Sequence, residues 1–216
     1  MFDSHLTAAE WYLGSLSSER LPEFARMALE LGYDGKNLAQ LALLVKPTKR
    51  DVDELVAGAF CELAVTFPLT QDEAALWMLT SVKARASSAD ITSANLVGKL
   101  LSELPELEKQ YTEELKEYYG LPGNYWVFAT ILKPVLKKQI ATGEITDFIR
   151  RCSTFIEQVC SGNDREAINV LWIEILEWLV HSQAGELKFL WSILGPSTRV
   201  TIKEVATRRE NTKNLP

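Results

Sequence analysis

The sequence predicts an all-α fold, an irregular multi-helix bundle of antiparallel helix pairs, of which a HEAT-like stack is one version. Three observations predict it. Apolar side chains recur at helical spacing along most of the 216 residues. Capping signatures precede several of these apolar segments. Alternating strand patterns are scarce, and the best strand candidate, Ala64-Val65-Thr66-Phe67, is too short and isolated to build a sheet. It is interpreted as the linker between an N-terminal helical part and a larger second part.

Helix boundaries follow from capping residues, proline and glycine. Thr48 to Asp51 is a capping signature before a helix that reaches about Leu63, and Thr70-Gln71-Asp72-Glu73 opens another. Pro22 and Gly32 start and end a third helix. Pro134 falls inside a helical pattern, so a kink or two separate helices are expected there. Further helices are predicted at 7–16, 37–45, 92–104, 105–119, 124–141, 144–160, 164–181, 184–194 and 198–208.

The predicted helix 164–181 carries a narrow polar strip on an otherwise apolar surface. At about 100° per residue, the strip consists of Glu166, Asn169, Glu174, Glu177 and His181. A helix this apolar is typical of the central post of a helical domain. The residues predicted to be largely buried are Trp172, Leu176, Trp178 and Leu179, with Glu174 and Glu177 on the wetter side.

Length and composition indicate an ordinary folded protein. A hydrophobic share of 47% and a charged share of 24% argue against disorder. We expect an N-terminal helical subdomain at 1–66 and a C-terminal helical domain at 67–216, or one continuous domain. No apolar run reaches the roughly 18 residues of a membrane span, and the N-terminus lacks the pattern of a signal peptide. A cytoplasmic location is therefore expected.

Catalytic and metal-binding motifs are missing from the sequence. Two histidines and three scattered cysteines give no zinc spacing, and no nucleotide-binding or nucleophile motif occurs. Cys61, Cys152 and Cys160 are interpreted as small buried residues in a reducing compartment. We expect no enzyme, no cofactor, no metal and no small-molecule substrate, although carboxylates clustered in a deep pocket would support an enzyme instead.

The net charge of -6 favours a basic protein partner over nucleic acid or an anionic membrane. Residues 37–56 resemble a helix-turn-helix, but Asp51, Asp53 and Glu54 would open its recognition helix. The segment 103–117 has six Glu against two Lys, and an aromatic run at 118–126 follows it. The simpler interpretations are a solvated helix face and rings that pin a loop to the core. The predicted partner-binding residues are Glu106, Glu113, Glu114, Glu117, Tyr118, Tyr119, Tyr125 and Trp126.

Two stretches resemble known bacterial proteins. Phe148 to Phe155 with Ile156-Glu157, Asn163-Asp164, Asn169, Ile175-Leu176-Glu177 and Leu194-Gly195-Pro196 resembles a helical module of uncharacterised bacterial proteins. Some of those proteins are encoded beside polymorphic or contact-dependent toxins and look like immunity proteins. The segments Leu21-Pro22-Glu23-Phe24-Ala25, Leu41-Ala42 and Pro47-Thr48 resemble leaders of helical bacterial proteins of unknown role. The resemblance implies a cytoplasmic, non-enzymatic protein that binds a toxin, and it carries over no catalytic residue.

Two functions are therefore expected from the sequence. The first is an immunity protein that neutralises a basic bacterial toxin by occluding its active site. The alternative is a helical adaptor or scaffold that binds a cellular protein, with no toxin involved.

Overall fold

The computed structural model describes residues 2–67, 69–117, 121–182, 185–209 and 215. Within these residues the chain forms twelve helices and no strand, which confirms the all-α prediction. None of these helices is both long and apolar enough to span a bilayer. The helices are α1 Ser4–Tyr12, α2 Leu21–Glu30, α3 Lys36–Ala42, α4 Lys49–Glu62, α5 Gln71–Ala84, α6 Leu96–Glu103, α7 Glu108–Glu117, α8 at 124–140, α9 Asp147–Ser161, α10 at 165–181, α11 Glu186–Leu190 and α12 Pro196–Arg208.

Both capping signatures form as the sequence predicts. At the start of α4, the Thr48 N–H donates to the Asp51 carboxylate at 2.7 Å, and the Asp51 N–H donates back to the Thr48 hydroxyl at 3.4 Å. Thr70 and Glu73 make the same reciprocal pair at α5, at 2.8 and 3.2 Å. Each pair satisfies backbone donors that a helix start leaves without partners.

The strand candidate at 64–67 is instead the end of α4. Ala64 has a φ of 58°, in the left-handed region, and the Val65 N–H donates to the Phe60 carbonyl at 2.9 Å. This six-to-one hydrogen bond is the Schellman helix ending, and its apolar residue Val65 is buried. The β-branched and aromatic side chains that suggested a strand therefore pack against the end of a helix.

The described chain divides into two compact units. The first comprises Met1–Ser81 and Thr112–Leu121, and the second comprises Val82–Tyr111 and Pro122–Pro216. The boundary expected from the sequence, between residues 66 and 67, stays a prediction.

Each unit has its own apolar core. In the first unit α3 packs against α2 and α4, and the Phe24 ring lies 4.9 Å from Phe2 and 5.9 Å from Phe60. In the second unit α9 packs against α10 and α12, and Phe128 and Phe155 lie fully buried with ring centroids 6.3 Å apart.

Two helices are capped by carboxylates from a distant part of the chain. Glu62 of α4 accepts the N–H groups of Asn37 and Leu38 at the start of α3, both at 2.9 Å. Glu157 of α9 accepts those of Ser197 and Thr198 at the start of α12, at 2.9 and 2.8 Å. The N-cap residue is glycine in both cases, Gly35 and Gly195, and a Cβ there would overlap the carboxylate.

Candidate partner-binding surfaces

The predicted acidic segment forms a 3₁₀ turn, Pro105–Leu107, followed by α7. Its inner face consists of Leu107, Tyr111 and Leu115, all buried at helical spacing. Burial raises the pKa of Tyr111 to about 12, so its ring is a neutral part of the core. Glu106, Glu113 and Glu117 are exposed, whereas Glu108 and Glu114 are half-buried.

The four predicted glutamates differ in how far their charges are already engaged. Glu106 pairs with Arg151, and the hydrogen bonds from that guanidinium hold the Glu106 pKa below its ordinary value. Glu113 lies 3.2 Å from Lys116, which also contacts Asp72. Glu114 is half-buried and Glu117 is exposed. Glu113, Glu114 and Glu117 belong to the first unit and Glu106 to the second.

The predicted aromatic anchors are only partly described. Tyr118 and Tyr119 lie outside the described residues. Tyr125 and Trp126 are half-buried at the start of α8, in the second unit. The Tyr125 hydroxyl donates to Glu166 at 3.0 Å and accepts from the Asn169 side chain at 2.7 Å. Tyr125 is thus held to the protein's own helix, and its role as a partner anchor stays a prediction.

The polar strip of α10 is joined to α8 by a ladder of side-chain contacts. The Tyr125 hydroxyl donates a hydrogen bond to Glu166, and the Lys133 ammonium lies 3.1 Å from the Glu174 carboxylate. The Lys137 ammonium lies 5.0 Å from the centre of the Trp178 ring. Each α10 residue in these pairs follows its α8 partner by 41 positions. The constant separation means that α8 and α10 run parallel, with α9 as the return connection between them.

On its other edge the strip meets the end of α12. Arg209 donates to the Glu177 carboxylate at 2.6 Å, and the Arg208 guanidinium lies 4.9 Å from the centre of the Trp172 ring. Arginine over tryptophan is a favourable cation–π arrangement. The strip is therefore flanked by lysines on the α8 side and by arginines on the α12 side.

The burial predicted for α10 holds most fully for its two leucines. Leu176 and Leu179 are fully buried, as predicted. Trp172 and Trp178 are half-buried, and so less buried than the two leucines. A cation lies over each of these rings, Arg208 over Trp172 and Lys137 over Trp178.

Both helices of the ladder contain a π-helical segment. In α8 it is Phe128–Leu132, where the Lys133 N–H donates to the carbonyl of Phe128 five residues earlier. In α10 it is Trp172–Leu176, where the Glu177 N–H donates to the carbonyl of Trp172. The two segments pack against each other. Because π segments are rare and often accompany function, the ladder is the best candidate site within the second unit.

Pro134 explains part of this geometry. Proline has no N–H, so the carbonyl of Thr130, four residues earlier, loses its usual helical donor. The Gln110 side chain supplies a donor instead, at 3.3 Å. The helix runs without a break from 124 to 140 through a widened turn just before Pro134, so the alternative of two separate helices was wrong.

Two observations on the described residues bear on metal and thiol chemistry. No group of three or more His, Cys, Asp or Glu side chains among them is placed to hold a metal ion. Burial raises the pKa of Cys152 to about 12 and that of Cys160 to about 11, so both thiols stay protonated at neutral pH. Cys61 is exposed, which corrects the expectation that all three cysteines are buried.

Comparison with known families gives an assignment for the second half of the chain. Residues 97–209 match a family described as a domain of unknown function, DUF7674. This match covers 113 of the 216 residues. The chain belongs to the DUF7674 family. No curated protein and no solved structure matches the chain.

The DUF7674 region contains α8, α10 and α12, and therefore the whole ladder. The sequence had identified one edge of this site, because the strip of α10 follows from helical periodicity alone. It missed Lys133, Lys137 and Arg208 as the partners of that strip. Lys133 and Lys137 are four residues apart, which places them on one face of a helix, and Arg208 adjoins Arg209. Nothing in the sequence indicates which other helix these cations contact.

Proposed function

We propose that this chain is an immunity-type protein that neutralises a basic protein toxin by binding it and covering a surface that the toxin needs. The uneven distribution of charge carries the proposal. The first unit has 15 Asp and Glu against 7 Lys and Arg, a net charge of -8. The second has 14 against 16, a net charge of +2. A toxin that acts on nucleic acid has a cationic cleft, which the first unit would attract.

Exposed apolar side chains in the same unit support the proposal. Among the described residues, seven of the nine large apolar side chains that are well exposed belong to the first unit. Apolar contacts slow the dissociation of a complex, while opposite charges speed its formation. A surface that combines both suits tight binding of a basic protein.

The acidic outer face of α7 is the proposed steering element. Glu113 and Glu117 are exposed on that helix, and Glu114 is half-buried beside its buried face. Glu106 contributes less, because its charge is already balanced by Arg151. Neutralisation would then be stoichiometric occlusion, with no chemical step on this chain.

The test begins with the reading frame beside the gene. Its product should be toxic when expressed alone and harmless when expressed with this protein. Binding kinetics are then measured with the purified pair at two salt concentrations. Changing Glu113, Glu114 and Glu117 together to Lys should slow association several-fold and reduce its salt dependence.

A matched control separates a local from a global charge effect. Changing Glu103, Glu144 and Glu204 to Lys makes the same change in net charge in the second unit, at three exposed positions. If both triple variants slow association with the toxin equally, the α7 surface is not the steering element. A neighbouring product that binds but is harmless on its own would favour the adaptor function instead.

A further inference from the structure

A groove lies between α1 and α2 within the first unit. The first helix contributes positions 3, 6, 7 and 10 to its lining, and the second contributes positions 20, 23, 24 and 27. Each set begins at the N-cap and recurs at helical spacing, so one face of each helix borders the groove. Phe2 and Leu16 complete the lining, and the cavity measures about 280 Å³. This surface is called the α1–α2 groove below.

The apolar part of the groove continues along α2. Phe24 and Met27 line the groove, and Leu31 follows on the same stripe, because its N–H donates to the Met27 carbonyl one turn earlier at 3.1 Å. The Phe2 ring stacks on Phe24, and its centroid lies 5.6 Å from that of the Tyr33 ring. Met27, Leu31 and Tyr33 are 40%, 61% and 43% exposed. A continuous run of apolar groups is therefore open to a partner.

Carboxylates outnumber cations on the groove lining. Asp3, Glu10 and Glu23 contribute three negative charges, and Arg20 contributes one positive charge. Glu30 follows Glu23 by seven residues, about two helical turns, so both lie along one edge of the apolar stripe of α2. Both are exposed, and within the described part of the chain neither makes a hydrogen bond or ion pair through its side chain. These two carboxylates are available to a cationic partner.

Size and charge narrow the choice of occupant. Pockets for small molecules measure about 300–1,000 Å³, so this cavity holds an anchoring side chain better than a whole ligand. A second copy of this chain would bring another first unit of net charge -8 to an acidic groove, and nucleic acid would be repelled in the same way. A partner that presents apolar and cationic side chains together satisfies both features of the groove.

We propose that the α1–α2 groove binds an amphipathic helix of the basic toxin, with an apolar side chain in the cavity and Lys or Arg side chains on the surrounding carboxylates. A helix lying in an apolar groove is a recurring mode of peptide recognition, with anchors every three or four residues. Within the described residues the chain has no strand, and so no sheet edge to which an extended segment could add. The identity of the partner rests on the proposed function, and the groove is the surface that receives it.

The first experiment measures binding of a synthetic peptide to the full chain by fluorescence anisotropy. The peptide is a helix of about 14 residues, four turns, with Leu on one face and Lys on the other, and a counterpart has Glu in place of every Lys. The Lys peptide should bind, and the Glu peptide should not. Met27→Lys and Glu23→Lys should each weaken binding of the Lys peptide about ten-fold or more, since they remove the apolar contact and the opposite charge.

Two controls make the same kinds of change at positions of the first unit that do not line the groove. Leu76→Lys matches Met27→Lys, because Leu76 is 60% exposed on α5, and Glu54→Lys matches Glu23→Lys at an exposed position of α4. Each control should change the affinity by no more than about two-fold. All four side chains are exposed, so circular dichroism should show an unchanged fold. A Lys peptide that does not bind, a Glu peptide that binds equally well, or equal weakening by the controls overturns the proposal.

Co-expression with the neighbouring gene product distinguishes failure of the groove from failure of the proposed function. The double variant Met27→Lys with Glu23→Lys should not neutralise the toxin, whereas Leu76→Lys with Glu54→Lys should neutralise it fully. Full neutralisation by the first double variant overturns the groove as the docking surface and leaves the proposed function in place. A neighbouring product that is not toxic overturns the proposed function, and the peptide result then decides by itself whether the groove binds a basic helix.

Discussion

Replacing Glu157 by alanine removes the carboxylate that caps α12. That carboxylate accepts the N–H groups of Ser197 and Thr198 and the Thr198 hydroxyl, at 2.9, 2.8 and 2.7 Å. Hydrogen bonds to a charged group contribute about 1.5–3 kcal/mol, and loss of a helix cap costs about 0.5–2 kcal/mol. Glu157 is half-buried, so water replaces part of what is lost. We expect a loss of about 2–3 kcal/mol in the free energy of unfolding.

The loss should be measured by urea unfolding followed by circular dichroism. In a thermal scan it corresponds to a fall of about 4–12 °C in Tm for a chain of this length. Glu204→Ala is the matched control, since Glu204 is an exposed glutamate of α12 itself, the helix that Glu157 caps. A loss below about 0.5 kcal/mol, no greater than for a surface change, would refute the idea that this cap holds α12 in place.

The pH dependence provides a second check on the same carboxylate. Burial raises the pKa of Glu157, but the hydrogen bonds from Thr198 and Ser197 outweigh it and leave the pKa below its ordinary 4.5. A carboxyl with a lowered folded-state pKa stabilises the protein fully above its unfolded pKa and loses that effect as pH falls through the folded one. The stability difference between the protein and Glu157→Ala should therefore shrink below about pH 5.

Three further results are expected from the same unfolding assay. Gly195→Ala should destabilise the protein, because its Cβ would overlap the Glu157 carboxylate, and should cost clearly less in the Glu157→Ala background; equal costs in both would contradict that contact. Leu176→Ala, at a fully buried site, should cost about 2–5 kcal/mol, and Trp172→Ala less than the 3–5 kcal/mol typical of a buried tryptophan. Arg209→Ala should cost no more than about 1 kcal/mol, a difference that disappears in high salt, because its side chain is 53% exposed.

Local signals predicted the helices well. The capping residues Thr48 and Thr70 and the stop at Gly32 act within a few residues of themselves, so the sequence contains all of the information. The strand-like pattern at 64–67 has a physical cause. A buried Val65 in a helix ending and a buried valine in a strand look alike to a pattern of apolar residues.

Contacts between distant segments could not be predicted in the same way. The caps supplied by Glu62 and Glu157 join residues about 25 and 40 positions apart, and any exposed glutamate in the sequence looks equally suited. Pro134 predicted an interruption of the helical hydrogen bonds. The donor that replaces its missing N–H comes from Gln110, which belongs to another helix. The half-burial of Trp172 likewise depends on where Arg208 lies.

The paired π segments have a consequence for the history of the DUF7674 family. A helix whose hydrogen bonds reach back five residues instead of four holds one residue more in that turn. Phe128–Leu132 and Trp172–Leu176 therefore each have the geometry that inserting one residue into a regular α-helix would produce, with the helix continuous on either side. Because the widened turns pack against each other, converting one of them to a regular α-helical turn would disturb the packing of the other. Alignments of the family should therefore show single-residue gaps at these two places that are gained and lost together.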